Sequence, residues 1–158
     1  MITYLVEPWS LIRSEIAQLW QRHYDELVSD KDKIPLAPDY RQYQEHATSG
    51  ALHIVTARSD GQLIGYVFAI VRPHLHYATT LCGFWDLYYV TPEHRKGLGL
   101  SLVGHPGVAL FREAEKSLRA RGVKKMFSGT KMWRDASHIF EYLGWVETER
   151  LFTKWIGD

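Results

Sequence analysis

Cysteine is almost absent from this chain: Cys82 is the only one in 158 residues. A single thiol cannot form an intrachain disulfide and cannot supply a multi-cysteine zinc site, so a disulfide-stapled secreted scaffold is excluded and a reducing compartment is expected. Long apolar runs are missing as well. The longest, "LIGYVFAIV" at residues 63–71, is half the roughly 18–20 residues a membrane span needs, and "MITYLVEPWS" has no basic segment leading into an apolar core. The expected location is the cytoplasm, with no membrane partner. Charge of one sign is lacking too: 19 basic against 18 acidic residues leave a formal +1. No global field favours a polyanion, so a nucleic-acid partner is not expected. There is no low-complexity segment, and 46% hydrophobic residues suit one ordinary folded domain spanning residues 1–158.

Periodicity assigns most of the elements. "ITYLV" reads as a short strand, and Pro8 stands where proline favours a helix start. Ile12, Ile16, Leu19, Trp20 and Leu27 recur at helical spacing, predicting one helix over 9–28 with an apolar stripe. A second, weaker helix carries Tyr40, Tyr43 and Ala47 and closes at Gly50. "ALHIVTAR" and "LIGYVFAIVRP" flank Asp60-Gly61, the signature of an antiparallel hairpin. "FWDLYYV" at 84–90 is the next strand. A helical stretch then runs to Arg121 and stops at Gly122, with Pro106 predicting a kink or a break into two pieces. "VKKMFSG" suits a strand, and "DASHIFEYLG" a short helix with Asp135 at its start and Gly144 at its end. "WVE" and "LFTKWI" suit a closing hairpin. The expected order is βααβββαβαββ, an α/β arrangement with a mixed, mostly antiparallel sheet.

Between the 84–90 strand and the next helix lies "VTPEHRKGLG". Backbone N–H groups at a helix start, backed by the helix dipole, bind anions, and glycines let a phosphate approach. The segment fits neither the dinucleotide fingerprint nor a P-loop, which argues against NAD and ATP. The alternative is a tight strand-to-helix turn solvated by basic residues.

The chain as a whole resembles the GNAT superfamily of acyl-CoA-dependent N-acetyltransferases. The family's diphosphate loop, Gln/Arg-x-x-Gly-x-Gly/Ala after a strand ending Val-x-Pro, is similar to "HRKGLG" after "YYVTP". Its late segment, commonly NxxAxxLYEKLGF, is similar to "WRDASHIFEYLGW" at 133–145. More loosely, the chain is similar to small members encoded by phages. The resemblance implies a GNAT fold splayed between the fourth and fifth strands, acetyl-CoA as co-substrate, an amine acceptor, no metal, and a homodimer. It also implies that amides of His94, Arg95, Lys96, Gly97, Leu98 and Gly99 hold the CoA diphosphate, while the backbone of Tyr88, Tyr89 and Val90 pairs with the pantetheine arm. His94 occupies the Gln/Arg slot, or Arg95 does if the loop contracts at Lys96.

Direct acyl transfer needs a base for the amine and a proton for the departing thiolate. Asp86, on the pantetheine strand, is the candidate base; its alternative is a structural carboxylate. The late-motif tyrosine that commonly supplies the proton is Phe140 here, and the Asn position is Trp133. Water, Ser128, Ser137 or His138 are left as donors. Two rival readings remain open: a non-catalytic acyl-CoA-binding module, and a phage-type acyltransferase acting on a nucleobase or nucleic acid. His74, His76 and Tyr77 in "RPHLHY" are assigned to the acceptor side, without the third ligand a metal would need. Cys82 is read as a small buried residue.

Overall fold

The computed structural model describes residues 1–95 and 102–157. Its five strands lie in sequence order: β1 (Ile2–Val6), β2 (Leu52–Ser59), β3 (Gln62–His74), β4 (Tyr77–Val90) and β5 (Lys125–Phe127). The first four pair antiparallel, and β5 joins β4 parallel. Helices cover both faces: α1 (Trp9–Ile12), α2 (Ile16–Leu27) and α3 (Tyr40–Thr48) on one, α5 (Pro106–Ala120) and α6 (Ser137–Tyr142) on the other; a short α4 (Pro92–Arg95) follows β4. The expected α/β fold class is thus present.

Local chemistry explains the boundaries. Asp60 (φ 48°) and Gly61 (φ 88°) both adopt positive φ, as the two-residue turn of a tight hairpin requires. Pro106 is neither a kink nor an interruption but the first turn of α5, where its missing N–H costs nothing; the His105 side chain caps that helix, Nδ1 accepting from the Gly107 N–H at 3.1 Å. Asp135 accepts from the Ser137 N–H at 2.9 Å and so serves α6, whose C-terminus ends in Gly144 at φ 81°.

Two cores result. On the α1–α3 face an aromatic cluster joins Trp9, Trp20, Tyr43 and Phe68, with Trp9 and Tyr43 stacked at 5.0 Å; such pairs add about 0.5–1.5 kcal/mol beyond area burial. On the α5 face Val67, Val90, Leu110, Phe111 and Ile139 pack with Phe140.

Two further expectations are corrected. The helix over 9–28 is broken at Arg13–Glu15 into α1 and α2. The stripe keeps its function, since Ile12, Ile16, Leu19 and Trp20 are all buried, while the Glu15 carboxylate at the break takes both terminal nitrogens of Arg58 at 2.8 and 2.9 Å. The closing hairpin is not formed among the described residues: 146–157 carry no strand, and Val146, Leu151, Phe152 and Ile156 are exposed. β5 pairs over only three residues, a short edge on which to build further strands. Trp145 and Trp155 are held by side-chain contacts instead, to Glu115 (2.7 Å) and Lys33 (5.7 Å from the ring centroid).

Candidate active site

β4 is the organising element, and a bulge within it sets the geometry. Phe68 pairs with Leu87 and Ala69 with Trp85, leaving Asp86 as the extra residue. Bulges bend a strand and re-aim its side chains. Trp85 accordingly packs on the α5 face and Leu87 on the α1–α3 face, with Tyr88 and Tyr89 continuing the alternation.

Past the bulge β4 and β5 part. Their pairing ends at Phe84 and Phe127, and among the described residues nothing pairs with Trp85–Val90 on that side. A cleft of about 290 Å³ opens there, bounded by Tyr88, Tyr89 and Val90, by the start of α5 (His105, Gly107), and by Ala136 and Ile139 beside α6. Backbone approach is tight around it. A Cβ on Gly65 would lie 2.7 Å from the Tyr89 carbonyl oxygen, and one on Gly107 3.1 Å from both His105 and Ile139.

The cleft is cationic. Arg95, Lys131 and Arg134 line it together with two acids, Glu26 of α2 and Asp135. Arg95 holds Glu26 through two bonds of 2.6 Å, and Arg134 Nε lies 2.6 Å from the same carboxylate. The Arg95 bond leads in holding the Glu26 carboxyl below the usual range. Arg95 also sits over the Tyr89 ring, 5.2 Å from its centroid. Its Nε and the Tyr89 hydroxyl are buried without a hydrogen-bond partner among the described residues. Unsatisfied buried donors beside a net positive cleft and an unpaired strand edge fit a long ligand with amide and phosphate groups.

The predicted site residues are distributed as follows. Tyr88, Tyr89, Val90 and Arg95 line the cleft. His94 does not: its Nδ1 is 2.7 Å from the Thr91 hydroxyl. Of the two contenders for the Gln/Arg slot, Arg95 is therefore the one whose side chain reaches the cleft. Lys96, Gly97, Leu98 and Gly99 lie outside the described residues. Asp86 stands apart from the cleft lining, exposed on the α3 side, where burial of its surroundings raises its pKa and the His46 charge opposes that rise. Burial pushes the Tyr43 hydroxyl up to about 12, the Asp86 charge adding to the effect.

Phe140 is a core ring, packed on Phe111 (5.0 Å) and edge-on to Tyr88 (5.8 Å). Trp133 is exposed beneath the Lys131 ammonium. The Ser137 hydroxyl is engaged by Asp135 at 2.9 Å, whereas Ser128 Oγ is buried and unpaired and His138 lines the cleft. The sequence reading missed the Tyr88 side chain: its hydroxyl donates to the Gly129 carbonyl at 2.9 Å, inside the opening. It also missed His105, which caps α5 locally, and Glu26, whose role rests on contacts across the fold. The only available signal was an aromatic in a strand whose backbone had been given the work. Among the described residues no group of three or more potential metal ligands occurs, and no helix is long and apolar enough to cross a membrane.

Comparison with known proteins places this geometry. No curated protein matches the sequence. The fold is similar to ribosomal-protein-alanine N-acetyltransferase from Brucella melitensis biovar Abortus 2308, with TM-score 0.73, 19% identity, and 100% and 99% of the two chains covered. It is also similar to glucosamine-6-phosphate N-acetyltransferase from Arabidopsis thaliana, with TM-score 0.72, 10% identity, and 99% of each chain covered. A predicted acetyltransferase with acetyl-CoA from Clostridium acetobutylicum gives TM-score 0.66 and 15% identity, with 99% and 97% covered. At such identities the likeness establishes the fold. The sequence profile of the acetyltransferase (GNAT) family matches residues 14–145, most of the chain. The protein belongs to the GNAT acetyltransferase family.

Proposed function

We propose that the chain, acting as one domain, is an N-acetyltransferase that moves an acetyl group from acetyl-CoA to a primary amine. The observation that carries this reading is the cationic cleft at the splay, bordered by the unpaired edge of β4. Acetyl-CoA supplies the acyl group as a thioester. The backbone of Tyr88–Val90 binds the pantetheine amides as an added strand would, and Arg95, Lys131 and Arg134 hold phosphate charge. The amides of residues 94–99 complete the diphosphate site in this reading, as the family resemblance implies.

Asp86 accepts the proton of the incoming ammonium. A carboxylate with a raised pKa is the better base for that purpose, and it has no hydrogen-bond or ion-pair partner of its own among the described residues to compete. The neutral nitrogen then bonds to the carbonyl carbon and sheds its second proton to water as the carbon–sulfur bond breaks. Tyr88, whose hydroxyl already lies in the opening, returns a proton to the sulfur. A thiol pKa of about 8.5 makes this last step undemanding, so the absence of a hydroxyl at Phe140 does not disable the chemistry. The buried lone Cys82 takes no part and is consistent with a cytoplasmic setting. A homodimer is the expected assembly from the family.

The test is calorimetric titration of CoA, followed by thiol release from acetyl-CoA with a panel of amines. Binding with amine-dependent release is expected. CoA binding without release with any amine would leave the non-catalytic module, which Phe140 favours. Absence of CoA binding would overturn the reading.

A further inference from the structure

The strand face beyond α3 carries a row of residues that the cleft does not use. β3, β4 and β5 bring Arg72, Cys82 and Lys125 into register, then Phe84 and Phe127 one step nearer the bulge, then Asp86. Met126 belongs to the α5-side core, so its neighbours Lys125 and Phe127 face the other way, toward the α1–α3 side. Among the described residues no helix side chain makes a ring contact or ion pair with them there. Phe84 and Phe127 stack at 5.0 Å with planes 5° apart. Arg72 lies over Phe84 (4.3 Å to the centroid) and Lys125 over Phe127 (5.0 Å), while the His74 ring is 6.3 and 6.4 Å from the two phenylalanines.

The two cations have no carboxylate partner among the described residues. Arg72 makes one long bond of 3.4 Å, to the Pro73 carbonyl, and Lys125 makes none. Other arginines of this chain are held by carboxylates, as with Arg22–Glu93 and Arg58–Glu7; Arg72 and Lys125 are held over rings instead. Asp86 stands roughly 7 Å from Phe84 along the strand, two residues at about 3.3 Å each. The surface therefore offers, in order, one carboxylate, an apolar floor and two fixed cations.

We propose that this face binds the acceptor, and that the acceptor is an amine carrying a carboxylate or phosphate, with its nitrogen at Asp86 and its anionic group at Arg72 and Lys125. The proposal rests on the acetyl-transfer reading and narrows its acceptor class. Polycationic amines are disfavoured, because their second charge would meet the two cations. In the reaction the acceptor ammonium gives one proton to Asp86, its nitrogen gains the acetyl carbon and loses a second proton to water, the carbon–sulfur bond breaks, and the sulfur gains one proton.

The probes are benzylamine, 4-(aminomethyl)benzoate, 4-(aminomethyl)phenylphosphonate and the polycation kanamycin, each with acetyl-CoA and the full chain. At least one anionic probe is expected to exceed benzylamine in kcat/KM by about tenfold, the size of one charge-assisted contact; which one does so separates a carboxylate from a phosphate acceptor. Arg72→Ala/Lys125→Ala should bring the anionic probes to within about twofold of benzylamine, and the milder Arg72→Gln or Lys125→Gln should lose part of the preference. Benzylamine or kanamycin matching the anionic probes in the wild type would overturn the proposal. If no amine is acetylated, acetyl transfer fails as the activity, and calorimetry then decides the surface separately. Binding of 4-(aminomethyl)benzoate that disappears in the double variant supports it, and no binding in the wild type sinks it.

Discussion

The Tyr88 hydroxyl donates to the Gly129 carbonyl at 2.9 Å, so a β4 side chain spans the gap that opens once β4 and β5 stop pairing. Tyr88→Phe removes this link and, in the proposed chemistry, the donor to the thiolate. We expect kcat to fall about tenfold, at the low end of general acid–base effects because the thiolate is a good leaving group, with little change in CoA affinity. Steady-state kinetics with CoA calorimetry checks this. An unchanged kcat would assign the proton to water or to Ser128.

Asp86→Asn should lower kcat by about 10²-fold or more while CoA binding stays near wild type. Because desolvation by the groups packed around it raises the Asp86 pKa, the acid limb of the wild-type rate profile should lie above the ordinary carboxylate range. His46→Ala, which removes the charge that opposes the rise, should move that limb to higher pH. A limb that stays in place shows that another group is being titrated.

Glu26→Gln should tighten CoA binding a few-fold. Glu26 is the cleft acid that both arginines hold, and removing its charge frees Arg95 and Arg134 for phosphate. The same change should cost roughly 1–2 kcal/mol of stability, since it breaks a half-buried pair of contacts. CoA titration and urea denaturation read the two effects separately, and weaker CoA binding would mean that Glu26 positions the arginines instead of competing for them.

Acid should destabilise the fold well before the carboxylates titrate. Burial pushes both His23 and His53 down to about 4 from 6.5. Between these values the unfolded chain takes up protons that the native state refuses, so stability falls as pH drops through that window, by up to about 3 kcal/mol per histidine. His53 is fixed as the neutral tautomer: Arg121 can only donate to its Nδ1 (3.2 Å), so Nε2–H donates to Ser117 (2.8 Å). His53→Gln should flatten part of the loss of Tm between pH 7 and 5. An unchanged slope would remove His53 from the effect.

What the sequence disclosed was what depends on neighbours along the chain. The Asp60-Gly61 turn, the stripe from Ile12 to Trp20 and the stop at Gly122 are local, and each is in place. The family motifs located the cleft through Tyr88–Val90 and Arg95. Features that depend on distant partners stayed hidden. Arg95 meets Glu26 across 69 residues, and no spacing rule announces such a pair. The closing hairpin misled for a related reason: "LFTKWI" has strand composition, but composition cannot show whether an edge is long enough to receive it. Phe140 lacked a hydroxyl by inspection, yet only its edge-on contact with Tyr88 shows where another hydroxyl stands.

The single surplus residue in β4 has a consequence for how this chain tolerates change in length. Counting by twos from Trp85 would put Leu87 and Tyr89 beside it, but the structure sends them to the opposite side. The pleat is rephased at Asp86, much as a reading frame is shifted by one insertion. Loops such as the one at 28–39 can gain or lose residues without altering that phase. Deleting Asp86 would leave Trp85 and Leu87 on the faces they hold now but would abolish the bulge, straightening the strand where it bends beside the opening. The length of this segment is therefore as binding a constraint on the protein as the identity of any side chain within it.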